Sequence, residues 1–267
     1  CGVVGYKPTF GMISRNRVLR TSRNLDTVGV FARTVDDAAL AVQVMTGYDE
    51  LDPDARHGAR PDLLSLAGEE PPMAPRFAFI KSPAWDQADA STHEAFDELV
   101  EVLGDRVELV DLADVYNEVF QWHRLVMDVE ISKNLADAFK NGAEQVSESL
   151  HAINERGKAA MGVDYSLALD RQGLFARGLE DVFEDFDVIL SPAAPGEAPL
   201  GLDSTGNPAF STLWTFAGLP SVTLPLLQGE NGMPLGVQLV AQKGDDGRLL
   251  RSANWLTKYI KDLSQEG

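Results

Sequence analysis

The chain has 267 residues, of which 44% are hydrophobic, so it is long enough to bury a sizeable core. Its 41 Asp and Glu against 23 Lys and Arg give a formal net charge of -18, which argues against direct contact with nucleic acid or an anionic membrane surface. No apolar run reaches the roughly 20 residues of a membrane-spanning helix, and the single cysteine cannot form an internal disulfide, so we predict a cytoplasmic protein.

The first predicted element is a helix over "TVDDAALAVQVMTG". Residues 2–33, which precede it, are punctuated by glycine and predict an irregular segment. Thr34 is a good N-cap, Asp36 and Asp37 suit the positive first turn, and Gly47 can end the helix.

A strand, a helix and a second strand are predicted next, over residues 76–80, 91–104 and 106–112. A fourth segment, Asp187–Leu190, is a short apolar run typical of a buried strand. This alternation indicates an α/β fold, with a mixed central sheet flanked by helices.

The middle of the chain predicts a long amphipathic helix, because apolar residues recur there every three or four positions. They are Tyr116, Val119, Phe120, His123, Met127, Ile131, Leu135 and Phe139. Further helices are predicted over 147–160, 165–185 and 246–263. No repeat or long linker interrupts the pattern, so we interpret residues 1–267 as part of one domain.

The familiar sequence patterns of metal and nucleotide sites are missing. The four histidines, at 57, 93, 123 and 151, show no paired spacing, and Pro53 interrupts the acidic run Asp49, Asp52 and Asp54. The sequence also contains no Gly-x-Ser-x-Gly elbow and no phosphate-binding loop. We therefore expect neither a metal nor an organic cofactor.

The cysteine at residue 1 allows three interpretations, since translation starts with methionine. It could be a processed N-terminal nucleophile, an acylated lipoprotein cysteine, or an interior residue of a longer protein. The first needs glutamine-binding motifs that the sequence lacks, and the second needs a polar tether that residues 2–33 do not provide.

Several separated segments together resemble the C-terminal part of the amidase signature family. They are "CGVVGYKPTFG", "NLDTVGVFARTVDDAALAVQVMTGYDELD", "FDVILSPAAPGEAP", "STLWTFAGLPSVTLP", "NGMPLGVQLV" and "DDGRLLRSA". The resemblance runs from Cys1 to about Ala253 and favours bacterial amidases. It implies that Cys1 lies inside the family domain, just after the glycine- and serine-rich signature. The α/β fold of this chain is therefore expected to be incomplete, because the N-terminal part of the domain is missing.

The resemblance implies a serine hydrolase whose nucleophilic serine is activated by a second serine and a lysine. All three match positions before Cys1, so no catalytic residue is expected in this chain, and the chain alone is expected to be inactive. Lys7 matches a different lysine of the family, and Ser191 matches the end of a strand, so neither takes a catalytic role.

Four residues are our candidates for the wall of a substrate pocket: Trp214 and Thr215 before the Gly-Leu-Pro turn, and Ser191 and Pro192 at a strand end. A core position is the alternative for Trp214. The pair Glu130 and Asn134 matches a Glu-x-x-x-Asn feature of some amidases, and we interpret it as structural hydrogen bonding.

The predicted function is hydrolysis of a small-molecule carboxamide to a carboxylic acid and ammonia or an amine. One alternative is the glutamine-hydrolysing subunit of a transfer-RNA-dependent amidotransferase. Another is a non-catalytic interaction module built on the same scaffold. Because the missing part would leave sheet edges and apolar faces open, we expect either more polypeptide or association into a homo-oligomer.

Overall fold

The computed structural model describes residues 1–266 and contains a mixed sheet with the strand order β2-β1-β6-β7-β5-β3-β4. The strands are β1 (Val4–Lys7), β2 (Val30–Ala32), β3 (Phe77–Phe79), β4 (Val107–Leu109), β5 (Val188–Pro192), β6 (Ser221–Gln228) and β7 (Pro234–Val240). Strand β3 pairs in parallel with β4 and β5, and the other pairings are antiparallel. The predicted α/β fold with a mixed sheet is confirmed.

Helices cover both faces of this sheet. They are α1 (Val35–Met45), α2 (Leu63–Gly68), α3 (Ala90–Leu103), α4 (Val119–Asn134), α5 (Ala136–Asn141), α6 (Glu148–Ala159), α7 (Gly162–Glu180), α8 (Val182–Asp185), α9 (Ala209–Phe216) and α10 (Asp246–Glu266). In the described part of the chain, none of them combines the length and apolar character needed to cross a bilayer.

Most of the predicted elements are confirmed. The hydroxyl of Thr34 accepts a hydrogen bond from the Asp37 amide at 3.1 Å, which caps α1 as expected. Helix α3 ends at Gly104, whose positive φ of 53° suits a glycine. The strand predicted over Asp187–Leu190 is β5, and it is buried along its whole length.

Two predictions were wrong. Residues 2–33 are not wholly irregular, because Val4–Lys7 and Val30–Ala32 form β1 and β2. Strand β1 is short and contains Gly5, so its local pattern is weak, and pairing with β2 and β6 on its two sides stabilises it. The long helix predicted through Phe139 ends at Asn134, after which the chain turns into α5.

The two faces of the sheet are covered unequally. Helices α1, α2, α3 and α10 pack on the first face, over buried side chains from β1, β3, β5, β6 and β7. Helices α4, α7 and α9 pack on the second face, where their buried core includes Ala78 of β3, Ile80 just after it, Ile189 of β5 and Val240 of β7. Within residues 1–266, no helix core of this kind covers the part of the second face formed by β1, β6 and the start of β7.

Candidate functional site

The open part of the second face forms a groove of about 570 Å³, which we call the strand-end groove. Its walls are the chain start, the loop that follows β5, the hairpin between β6 and β7, and residues 201–207 before α9. This volume lies in the range of about 300–1,000 Å³ that is usual for small-molecule sites. It also lies outside the carboxyl end of β5, where ligands of α/β proteins commonly bind.

Small and apolar residues dominate the lining of the groove. They include Gly2, Val3, Gly5, Phe31, Ala193, Ala194, Pro195, Gly196, Ala198, Pro199, Pro225, Pro234 and Gly236. The floor is flat because paired positions on adjacent strands, Gly5 on β1 and Thr223 on β6, carry little side-chain volume. Phe31 stands at the rim and is 85% exposed. Such a surface suits the apolar body of a small organic molecule.

Gly236 keeps the floor of the groove flat. A Cβ at this position would lie 2.8 Å from the Ala193 side chain and 2.8 Å from the Thr223 methyl group. We expect Gly236→Ala to lower the free energy of unfolding by about 1–3 kcal/mol, because neither neighbour is a flexible side-chain end. Urea unfolding measures the change. Gly68→Ala is the matched control, since nothing lies within 4 Å of a Cβ there, and equal stability of the two variants would refute the packing argument.

The loop after β5 is held against the hairpin by Glu197. Its carboxylate accepts hydrogen bonds from the Asn231 amide at 3.0 Å, the Asn231 side chain at 2.9 Å and the Met233 amide at 3.1 Å. The bond from the Asn231 side chain is the main cause of the lowered pKa of Glu197. These bonds fix the position of the wall that the loop contributes.

Asp89 is the other charged side chain that lines the groove. It occupies the N-cap position of α3, but its side chain makes no capping hydrogen bond. Its backbone amide donates to the Pro195 carbonyl at 2.8 Å, which ties the start of α3 to the loop after β5. The carboxylate lies against Gly196, where an added Cβ would be only 1.8 Å from Asp89 Oδ2.

None of the four pocket residues predicted from the sequence is in the lining of the groove. Ser191 and Pro192 are buried, and the Ser191 hydroxyl donates to the Pro192 carbonyl at 3.0 Å. Trp214 is buried in the core under α4 and α7, and Thr215 is partly buried beside it. The groove lining begins at Ala193, the residue after Pro192. A substrate-binding role for these four residues stays a prediction.

Glu130 and Asn134 join α4 to the loop around residues 21–24. Glu130 accepts hydrogen bonds from Ser22, Asn24 and Tyr165, and Asn134 donates to the Thr21 carbonyl at 3.0 Å. Burial, together with the hydrogen bond to Glu130, raises the pKa of Tyr165 to about 12. These contacts agree with the structural interpretation of the pair.

A second polar cluster surrounds Asp246 at the start of α10. Its carboxylate accepts hydrogen bonds from the Tyr6 hydroxyl at 2.7 Å, the Thr9 amide at 2.9 Å and the Thr9 hydroxyl at 2.5 Å. The Lys7 ammonium donates to the Leu219 carbonyl at 2.5 Å, inside the Gly-Leu-Pro turn. Lys7 therefore supports this turn, which leads into β6.

Burial of the Lys7 ammonium lowers its pKa to about 8, against the attraction of Asp246. The unfolded chain then binds more protons than the folded chain between about pH 8 and pH 10.5, so stability should rise with pH in that window. We expect a gain of about 1.5 kcal/mol in the free energy of unfolding from pH 8 to pH 9.5. Lys7→Met should reduce the gain measured by urea unfolding, and part of it should remain because burial also lowers the pKa of Lys243. An equal gain in both proteins would contradict this assignment.

Among the described residues, no group of His, Cys, Asp and Glu is arranged to hold a metal ion. The acidic run that includes Asp52 and Asp54 instead binds arginine: Asp52 and Asp54 both contact Arg15, at 3.3 and 2.6 Å. Without these carboxylates a buried guanidinium would be left unpaired, so the run is a structural ion-pair network.

Known sequences resemble this chain over nearly its whole length. A family model described as Amidase matches residues 1–250. A glutamyl-tRNA(Gln) amidotransferase subunit of Prochlorococcus marinus (strain NATL2A) is 31% identical over 295 residues, which cover 97% of this chain and 60% of the relative. The corresponding subunit of Thermotoga maritima is 28% identical, with coverage of 97% and 60%. The chain thus spans about 60% of the length of these relatives.

Solved structures of related proteins share the fold of this chain. A protein described as part of a vestigial complex that reveals the evolutionary origins of an s-triazine catabolic enzyme has a TM-score of 0.85 at 25% identity, over 97% of this chain and 59% of that one. A 6-aminohexanoate cyclic dimer hydrolase with its substrate has a TM-score of 0.79 at 23% identity, over 97% and 61%, and supports the fold alone. The chain belongs to the amidase family.

Proposed function

We propose that this chain forms the C-terminal section of an amidase, which hydrolyses a carboxamide to a carboxylic acid and ammonia or an amine. The observation that carries the proposal is the strand-end groove, which is of substrate size and lies outside the carboxyl end of β5. The amidase match over residues 1–250 supports the same reaction class.

In this proposal the chain shapes the substrate pocket, and the Ser-Ser-Lys residues come from sequence outside residues 1–267. The chain spans about 60% of its relatives, which leaves room for that sequence. The nucleophilic serine would attack the amide carbon, release the amine, and be regenerated when water attacks the acyl-enzyme. Ser191 and Pro192 would hold the start of the groove wall, since the lining begins at Ala193. Trp214 and Thr215 would contact substrate only if sequence outside residues 1–267 completes a pocket next to them.

A serine-directed fluorophosphonate probe tests this proposal on the natural gene product. We expect labelling of one serine outside residues 1–267, and release of ammonia from simple carboxamides that the probe abolishes. Labelling of Ser191 would overturn the assignment of roles. Absence of both labelling and turnover would overturn the proposed function.

The second candidate is the glutamine-hydrolysing subunit of a transfer-RNA-dependent amidotransferase. It is favoured by the names of the similar curated proteins, such as the Prochlorococcus protein at 31% identity. Glutaminase activity that appears only when partner subunits are added would support it. Hydrolysis of simple carboxamides by the protein alone would favour the first candidate.

A further inference from the structure

A row of polar side chains crosses the second face of the sheet beside the groove floor. Gln238 of β7 is paired with Ser191 of β5 on one side and with Thr223 of β6 on the other. Facing side chains on adjacent strands have Cβ atoms about 5 Å apart, so the three form one row. Thr223 lines the strand-end groove, and so does Gly236, the next residue of β7 on the same face. The strand register therefore places Gln238 at the inner edge of the groove floor.

The alternation of side chains along β7 fixes the direction of Gln238. Val237 and Leu239 belong to the core on the first face, and Val240 belongs to the core under α4, α7 and α9. Because side chains alternate between the two faces of a strand, Gln238 points to the second face, between Gly236 and Val240. Its amide lies where the sheet passes from the groove floor to the apolar core.

The amide oxygen of Gln238 is buried without a partner. Gln238 is 3% exposed, and Oε1 accepts no hydrogen bond from the described residues. The Ser191 hydroxyl, in the same row, donates to the Pro192 carbonyl instead. Solvent does not reach this oxygen, so further polypeptide packed on the outside would not reach it either. Its lack of a partner is therefore a property of the packing around it.

The fold itself gains nothing from this oxygen. A buried acceptor without a donor is destabilising, and a methionine would fill nearly the same volume at position 238 without it. Unpaired buried groups in native proteins call for an explanation, and a role at a functional site is one. The terminal amide turns about a soft, two-fold torsion, and turning Oε1 toward the groove breaks no hydrogen bond to that oxygen. The amide is thus able to follow a ligand.

We infer that Gln238 recognises the carboxamide group of the substrate, with Oε1 accepting a hydrogen bond from the amide N–H. The inference rests on the proposed amidase function. A carboxamide donates an N–H, whereas the product carboxylate has only acceptor oxygens, so the contact is lost on hydrolysis. Gln238 thereby distinguishes the substrate from its product, and an amide from an ester. A neutral side chain suits this buried position, because a carboxylate there would need a counter-charge.

N-methylbenzamide and methyl benzoate test the inference on the natural gene product, because they differ only in an N–H against an ester oxygen. We expect Gln238→Met to lower kcat/KM about fivefold for N-methylbenzamide, the effect of one lost hydrogen bond. The value for methyl benzoate should stay within about twofold, since the ester has no N–H to donate. An equal loss for both compounds, or no loss for either, would overturn the inference.

Stability gives a second readout, which a purely structural role of Gln238 would move in the opposite direction. Gln238→Met should raise the urea midpoint of unfolding by about 0.3 M, because it removes an unpaired buried oxygen. A lower midpoint would show that Oε1 is bonded in the folded protein and would refute the inference. Gln242→Met is the matched control, since Gln242 is exposed and outside the groove lining, and it should change neither the rates nor the midpoint.

Binding separates a failure of this inference from a failure of the proposed function. If neither compound is hydrolysed, ligand-observed NMR titration still compares their affinities. Binding of N-methylbenzamide that is weakened by Gln238→Met but not by Gln242→Met, with methyl benzoate unaffected, would support the inference while the proposed reaction fails. Absence of binding, or equal weakening for both compounds, would refute it.

Discussion

Replacing Asp246 by alanine should lower the free energy of unfolding by about 3–5 kcal/mol, the largest effect that the structure predicts. Asp246 is 1% exposed and accepts three hydrogen bonds from Tyr6 and Thr9. Without it these donors lose their partner, and the Lys7 ammonium loses the nearby charge that raises its pKa. Urea unfolding near neutral pH measures the loss.

The matched control is Asp245→Ala, one residue earlier. Asp245 is 36% exposed and pairs with Arg248 at 2.8 Å, so removing it should cost less than about 1 kcal/mol. If both alanine variants lose the same stability, the polar cluster around Asp246 does not stabilise the fold more than a surface ion pair does.

Glu130→Ala should lower the free energy of unfolding by about 2–4 kcal/mol, because the buried Ser22 hydroxyl and the partly buried donors of Asn24 and Tyr165 would lose their shared acceptor. Glu130 is only 4% exposed, so water cannot replace the carboxylate without a rearrangement. The variant should also shift the pKa of Tyr165 down from about 12 toward its ordinary 10.0, which ultraviolet titration detects.

Lys133→Ala on the same helix is the control, since Lys133 is exposed and its loss should change stability by less than about 0.5 kcal/mol. An unchanged Tyr165 titration in Glu130→Ala would show that the hydrogen bond is not formed in solution. Unchanged stability would show that α4 does not depend on Glu130 for its attachment to the loop.

Local patterns in the sequence were sufficient for the well-separated elements. Thr34 and the two aspartates after it predicted the start of α1, and the apolar run at Asp187–Leu190 predicted β5. These signals are strong because capping and burial act on neighbouring residues. Strand β1 was missed, since Gly5 weakens a four-residue strand whose stability comes from β2 and β6, far away in sequence.

The sequence did not predict the residues that line the candidate groove. Ser191 and Pro192 lie at the end of β5, and the lining of the candidate groove starts one residue later, at Ala193. Trp214 was equally compatible with a pocket wall and a core, and the structure buries it in the core under α4 and α7. Hydrophobic residues of this size satisfy either role, so periodicity alone does not distinguish them.

Composition and motif order by themselves determined that this is an acidic α/β protein of the amidase family, because charge and ordered motifs are properties of the chain and need no coordinates. Only the tertiary structure decided where the ligand-sized groove lies and which charges face it. Asp89 and Glu197 are 108 residues apart in the chain, and neither was predicted from the sequence as a site residue. They meet at the groove because the sheet brings the start of α3 and the end of β5 together, and long-range strand pairing is not encoded in any short segment.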